Sequence, residues 1–169
     1  RGAFFAHIFT KKGLYFFLDF WKRIYYSKIE YESAYPKGNF KMSEMVNVAV
    51  DAMGGDNAPV EIVKGAVEAI NEDRRVKVFL VGREPVIREE LKKYTYHEEQ
   101  LEVVHTEEVI ETGEPPVMAI RKKKDSSIVK AMYMVKEGQC DALVSAGSTG
   151  AVLVGGQVIV GRIKGVERP

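Results

Sequence analysis

From Met45 onward, apolar and polar residues follow two different periods along the chain. Val46-Asn-Val-Ala-Val50 is nearly all apolar and stops at Asp51, which predicts a buried strand. Val60, Val63, Val67 and Ile70 then recur at helical spacing, with Pro59 near the first turn. Val76-Lys-Val-Phe-Leu-Val81 predicts a second strand closed by Gly82, and Pro85 opens a helix with Ile87, Leu91 and Tyr94 on one face. Leu101-Glu-Val-Val104 predicts a short third strand. After Glu114-Pro-Pro116 comes a small basic helical stretch. Ser126 or Ser127 then caps a helix that carries Ile128, Met132 and Val135 and ends at Gly138. Ala142-Leu-Val144 predicts a fourth strand, Ala146–Gly150 a tight turn, and the following residues an apolar, glycine-containing helix or helix pair.

Strands alternating with helices predict an α/β fold with a mostly parallel sheet. Strands this apolar predict helices on both faces, a three-layer arrangement. Ligands of such sheets sit beyond the carboxyl ends of the strands. The first and fourth strands run into the two loops richest in chemistry, so function is sought there.

The pattern before Met42 is different. Residues 1–41 hold most of the aromatic side chains, including Phe16, Phe17, Phe20, Trp21, Tyr25 and Tyr26. Gly13-Leu-Tyr-Phe-Phe-Leu-Asp-Phe-Trp21 is apolar but interrupted by Asp19, far short of the roughly 20 residues of a spanning helix. No small-residue cleavage site follows, which argues against a secretory signal. Three readings compete: an amphipathic membrane-surface or partner-binding helix near Lys11, Lys12, Lys22 and Arg23; the tail of an upstream domain; or a translated leader. The codons of Lys37-Gly38, a few triplets before Met42, can form a purine-rich ribosome-binding tract, which favours the leader. The chain is therefore divided into an extension, 1–41, and the first part of an α/β domain, 42–169.

Composition narrows the function classes. Among 169 residues, 25 Lys+Arg balance 24 Asp+Glu, so bulk charge gives no case for nucleic acid. The apolar fraction of 46% is enough for a packed core. One Cys excludes an internal disulfide and a cysteine-only zinc site, and suits a reducing, cytoplasmic setting. His7, His97 and His105 are scattered without a second ligand at metal spacing, so no metal is assigned. Cys140 has no neighbouring base and reads as a packed residue.

The first loop is Asp51-Ala-Met-Gly-Gly-Asp56-Asn-Ala-Pro59. Gly54 and Gly55 permit positive φ and close backbone approach. Asp51 and Asp56 would repel a phosphate placed beside them. They suit fixing the loop through amide bonds, or binding a substrate hydroxyl or amine. The plainer reading is that Asp56 or Asn57 caps the next helix. The second loop is Ser145-Ala-Gly-Ser-Thr-Gly150. Its small residues expose backbone N–H groups, and Ser145, Ser148 and Thr149 add hydroxyls, a suitable cradle for a phosphate or oxyanion. It lacks the Lys of a Walker A loop and the spacing of GxGxxG or a nucleophile elbow. Tight packing explains such a turn equally well. Arg121-Lys-Lys-Lys124 is either a solvated face or a local positive patch for phosphate or an acidic protein.

Together, Val48-Ala-Val-Asp-Ala-Met-Gly-Gly-Asp-Asn-Ala-Pro59 and Ala142-Leu-Val-Ser-Ala-Gly-Ser-Thr-Gly-Ala151 closely resemble the bacterial phosphate acyltransferase (PlsX) family. Gly65-Ala-Val67 and Gly113-Glu-Pro-Pro116, with its lysine run and Ser126-Ser127, add to the resemblance. It covers residues 45–169, roughly the first half of the family's usual length. Ser148 stands where Asn is frequent in the family. The resemblance implies a truncated α/β fold like isocitrate dehydrogenase and phosphotransacetylase. It implies transfer of a fatty acyl group from acyl carrier protein to inorganic phosphate, giving acyl phosphate for phospholipid synthesis. It further implies a homodimer, a cytoplasmic location and peripheral association with the membrane. No cofactor is required, because phosphate is itself the nucleophile. On this reading Ser145, Gly147, Ser148, Thr149 and Gly150 bind phosphate or the oxyanion. Asp51, Gly54, Gly55 and Asp56 shape the adjoining wall, and Lys122, Lys123 and Lys124 meet the carrier protein. Catalytic residues in the missing half stay unassigned, and the fragment alone is expected to have little activity. Two other functions fit the residues: a phosphate acetyl- or butyryltransferase acting on coenzyme A thioesters, and a non-catalytic phosphate- or membrane-binding fragment.

Overall fold

The computed structural model describes residues 45–162 throughout and, of the remainder, the backbone of two short strands. These are β1 (Ala6–Thr10) and β2 (Gly13–Phe17). They are extended where one reading of the extension placed a helix. The other readings of residues 1–41 concern positions outside the described residues. Then follow β3 (Val46–Asp51), α1 (Val60–Glu72), β4 (Val76–Gly82), α2 (Glu84–Leu91), β5 (Leu101–His105), α3 (Pro116–Lys122), α4 (Ser127–Glu137), β6 (Ala142–Ser145) and α5 (Thr149–Gly155). A π-helical turn, Gly156–Val160, continues α5.

The sheet order is β2-β1-β6-β3-β4-β5. β6, β3, β4 and β5 are mutually parallel, and β1 joins the β6 edge antiparallel. The chain winds outward from β3 through β4 to β5, then crosses back to place β6 on the other side of β3. The order therefore reverses between β3 and β6, where doubly wound sheets open a crevice at the carboxyl ends of their strands.

Alternation along the strands fills two cores. Ala49, Val81 and Leu143 pack with Ile120, Ile128, Met132, Val135 and Val152 from α3, α4 and α5. Val50, Val78 and Leu80 pack with Val63, Val67, Ile70, Ile87 and Leu91 from α1 and α2. Two helices on one face and three on the other give the three-layer α/β fold that the apolar strands predict. Each fully buried Leu, Ile or Val contributes about 1.5–3 kcal/mol to holding the layers together.

The departures are local. Val60 lies in the first turn of α1 and is exposed; Ala66 completes the buried face instead. Tyr94 falls beyond the end of α2 but still packs on that core. Neither Asp56 nor Asn57 caps α1: Pro59 holds the cap position without a side-chain bond, and the Asn57 carbonyl accepts from the Glu61 N–H at 3.1 Å. The hydroxyls of Ser126 and Ser127 also leave the α4 amides uncapped. Ser126 Oγ donates to the Lys123 carbonyl at 2.8 Å, and Ser127 faces Asp51. Gly138 ends α4 at φ 82°, in the left-handed region that glycine adopts at little steric cost.

Candidate functional site at the switch point

The register Val50↔Val144 brings Asp51 and Ser145 side by side as β3 and β6 end. Both are buried. Ser145 Oγ donates to Asp51 Oδ2 at 2.8 Å and accepts from the Gly147 N–H at 3.1 Å. Asp51 Oδ1 accepts from the Met53 N–H at 3.2 Å. Burial pushes the Asp51 carboxyl above its ordinary value, while hydrogen bonds from Ser127, Ser145, Met53 and Gly54 oppose that rise. One carboxylate thus ties together the first loop, the second loop and the start of α4. Its position under the loops fits the loop-fixing role among those read for it.

Glycine lets the loops touch. A Cβ on Gly54 would lie 2.9 Å from the Gly147 nitrogen, and one on Gly147 would lie 3.1 Å from the Gly54 Cα. Gly55 sits at φ 102° against the Ala146 carbonyl. Asp56 is exposed at the rim.

In the second loop the hydroxyls divide. Ser148 is buried at the N-cap of α5, where its Oγ accepts from the Ala151 N–H at 3.3 Å. With Ser145 engaged by Asp51, both serines shape the loop from within. Thr149 is the exposed hydroxyl of the loop. The N–H groups of Ser148 and Gly150 have no protein acceptor among the described residues. Among the described residues, the loop thus has backbone amides not spent on backbone partners, the donor type an anion cradle uses.

Two neighbours complete the site, and periodicity could not reveal either. Ser127 reaches Asp51 from α4. Pro116, at the start of α3, presses on the loop so closely that a Cβ on Gly150 would lie 2.5 Å from Pro116 Cγ. Both stand in the segments that carry the family resemblance, but nothing in their spacing shows where they aim.

The lysine run also divides. Lys122 and Lys124 are exposed. Lys123 turns inward, donating to the Val109 carbonyl at 2.7 Å and to Glu114 Oε1 at 2.5 Å. His105 ends β5, with Nδ1 accepting from the Glu84 N–H at 3.2 Å, a strand-end role as its position suggests. Cys140 is buried. Among the described residues no helix is long and apolar enough to cross a membrane.

Known proteins place the same stretch. Over 124 residues the chain is 55% identical to the phosphate acyltransferase of Clostridium beijerinckii, covering 73% of this chain and 37% of that relative. Over 121 residues it is 54% identical to the phosphate acyltransferase of Clostridium kluyveri, covering 72% and 36%. A putative phosphate acyltransferase of Clostridium perfringens is 51% identical over 124 residues. The chain thus spans little more than a third of the length of these curated relatives. The span matched by the family model, residues 46–169, takes in both glycine-rich loops, the lysine run and every described element from β3 onward. The profile of the fatty acid synthesis protein family matches residues 46–169, and the chain belongs to that family of phosphate acyltransferases.

Proposed function

We propose that this chain carries the phosphate-holding part of an enzyme that transfers a fatty acyl group from acyl carrier protein to inorganic phosphate. The supporting observation is the meeting of Asp51–Asp56 and Ser145–Gly150 at the switch point, within a stretch half identical to phosphate acyltransferases. A phosphate oxygen attacks the thioester carbonyl, the carbon–sulfur bond breaks, and the carrier leaves as its thiol. The amides of Ser148 and Gly150 and the Thr149 hydroxyl hold the phosphate or the tetrahedral oxyanion. Asp51, Gly54, Gly55, Gly147, Ser145 and Ser148 keep that cradle in shape. Asp56 lines its rim, and Lys122 and Lys124 offer positive charge to the acidic carrier. The proposal includes a homodimer and a cytoplasmic enzyme that associates peripherally with the membrane.

Titration of the isotopically labelled chain with phosphate, against sulfate at equal ionic strength, tests the cradle. The Ser148, Thr149 and Gly150 amide resonances are expected to move with phosphate, and Thr149→Val to weaken the response. Equal movement in sulfate, or none, sinks the assignment. In a relative-length protein, acyl phosphate formation from acyl carrier protein and from acyl coenzyme A is to be compared. Preference for the coenzyme A donor would overturn the choice of donor.

A further inference from the structure

We propose that Glu114 and Lys123 are positioning residues for the second loop, closing a strap that holds it from two sides; this rests on the cradle described above. The strap is the segment 106–115. Its first half lies along the start of α4 in a short parallel bridge between Glu108 and Ser126. The Glu107 N–H donates to Asp125 Oδ2 at 3.0 Å, the Asp125 N–H to Glu108 Oε2 at 3.1 Å, and the Ser127 N–H to the Glu108 carbonyl at 3.3 Å. Those bonds set Ser127, whose hydroxyl reaches Asp51 and through it Ser145.

The second half ends in Glu114-Pro115-Pro116, and Pro116 abuts Gly150. Lys123 joins the halves. Its ammonium bonds the Val109 carbonyl and Glu114 Oε1, and that same oxygen accepts from the Glu111 N–H at 2.7 Å. The Lys123 charge is therefore used inside the fold, unlike the exposed charges of Lys122 and Lys124. This pair is only part-exposed, with side chains 30% and 29% accessible, whereas the Lys92–Glu89 pair on α2 is 71% and 72% accessible. A pair shielded to that degree and joined to two backbone groups fixes geometry in a way a solvated pair does not.

The test uses Lys123→Met, the milder Glu114→Gln, the charge-retaining Lys123→Arg, and Lys92→Met as the remote control. Amide hydrogen exchange of the unliganded chain is read at residues 145–150, where the bonded Gly147 amide is the reporter, and across the core strands. Loss of a charge-assisted hydrogen bond is expected to speed exchange at 145–150 by about tenfold and to weaken phosphate binding by a similar factor. The core strands should change little, and Lys123→Arg should restore part of the effect. Lys92→Met should leave both readouts as in the parent chain. Unchanged exchange at 145–150 in both Lys123→Met and Glu114→Gln overturns the inference. So does acceleration spread evenly over all strands, the mark of general destabilisation. If the parent chain itself ignores phosphate, the cradle reading fails, while the exchange data still decide the strap.

Discussion

Ser145 Oγ and Asp51 Oδ2 lie 2.8 Å apart across 94 residues of sequence, and both side chains are buried. The bond joins the ends of two adjacent parallel strands. It places a carboxylate under the candidate site, where it bonds both loops.

Removing that carboxylate leaves the hydroxyls of Ser127 and Ser145 and the Met53 amide without their acceptor. Asp51→Ala is expected to destabilise the chain by about 3 kcal/mol, read from urea denaturation. Its pH dependence has a definite sign. Burial raises the folded pKa above the ordinary 3.8, so the folded state binds the proton more tightly than the unfolded chain. The associated stability is fully present below 3.8 and is lost as pH rises through the folded value. Subtracting the Asp51→Asn profile from the parent profile should isolate this decline. A difference that grows more favourable with rising pH would contradict it.

Glu114 behaves in the opposite sense. Lys123 and the Glu111 N–H hold its carboxyl below the ordinary 4.5. Its contribution is present above 4.5 and lost as pH falls through the folded value. Glu114→Gln should therefore flatten the acid side of the urea-midpoint profile and leave the alkaline side parallel to the parent.

Three glycines sort by their surroundings. Gly54→Ala and Gly147→Ala press a methyl group into the facing loop and should each cost about 1–3 kcal/mol. Gly65 is exposed in the middle of α1, and a methyl group added there would meet nothing within 4 Å, so Gly65→Ala should stabilise by about 0.5–1 kcal/mol. Thermal unfolding of the three variants should give this ordering.

Ser148→Ala removes the side-chain cap of α5 and should cost about 1 kcal/mol. Ser148→Asn keeps an acceptor at the cap and should be close to neutral. A loss in Ser148→Asn as large as in Ser148→Ala would show that the cap bond is not what fixes this residue.

Cys140 is buried and its thiol is pushed up to about 11, chiefly by burial. At neutral pH a disulfide reagent such as Ellman's should label the folded chain slowly and the urea-unfolded chain at once. Fast labelling of the folded chain would mean that the start of β6 opens readily.

The strands and helices of the α/β region were legible because their burial is periodic. Val46–Val50 and Val76–Val81 are apolar on both faces, and each becomes a central strand. The helix ends were less legible. Ser126, Ser127, Asp56 and Asn57 are all good capping residues by type, but none caps a helix through its side chain, because the loops direct the serines to other partners. Glu90 shows the same limit in the core. It is buried on α2 with its carboxylate held by Lys93 and the Tyr94 hydroxyl, which a helical period cannot anticipate. The two loops were legible as glycine-rich strand ends. Their contact was not, since it depends on β6 choosing the side of β3 away from β4. The division of Lys122, Lys123 and Lys124 is likewise set by one acceptor, Glu114, that sequence spacing does not single out.

The placement of β6 also governs the order of assembly. β3, β4 and β5 join in sequence order through short-range crossovers, whereas β6 must close a loop of about 90 residues to reach β3. Closing the longer loop costs more chain entropy than the short crossovers, by about 0.6 kcal/mol for each doubling of length. The Asp51 carboxylate therefore meets Ser145 only once β6 has been made and docked on β3, so the site depends on the longest closure among these parallel strands.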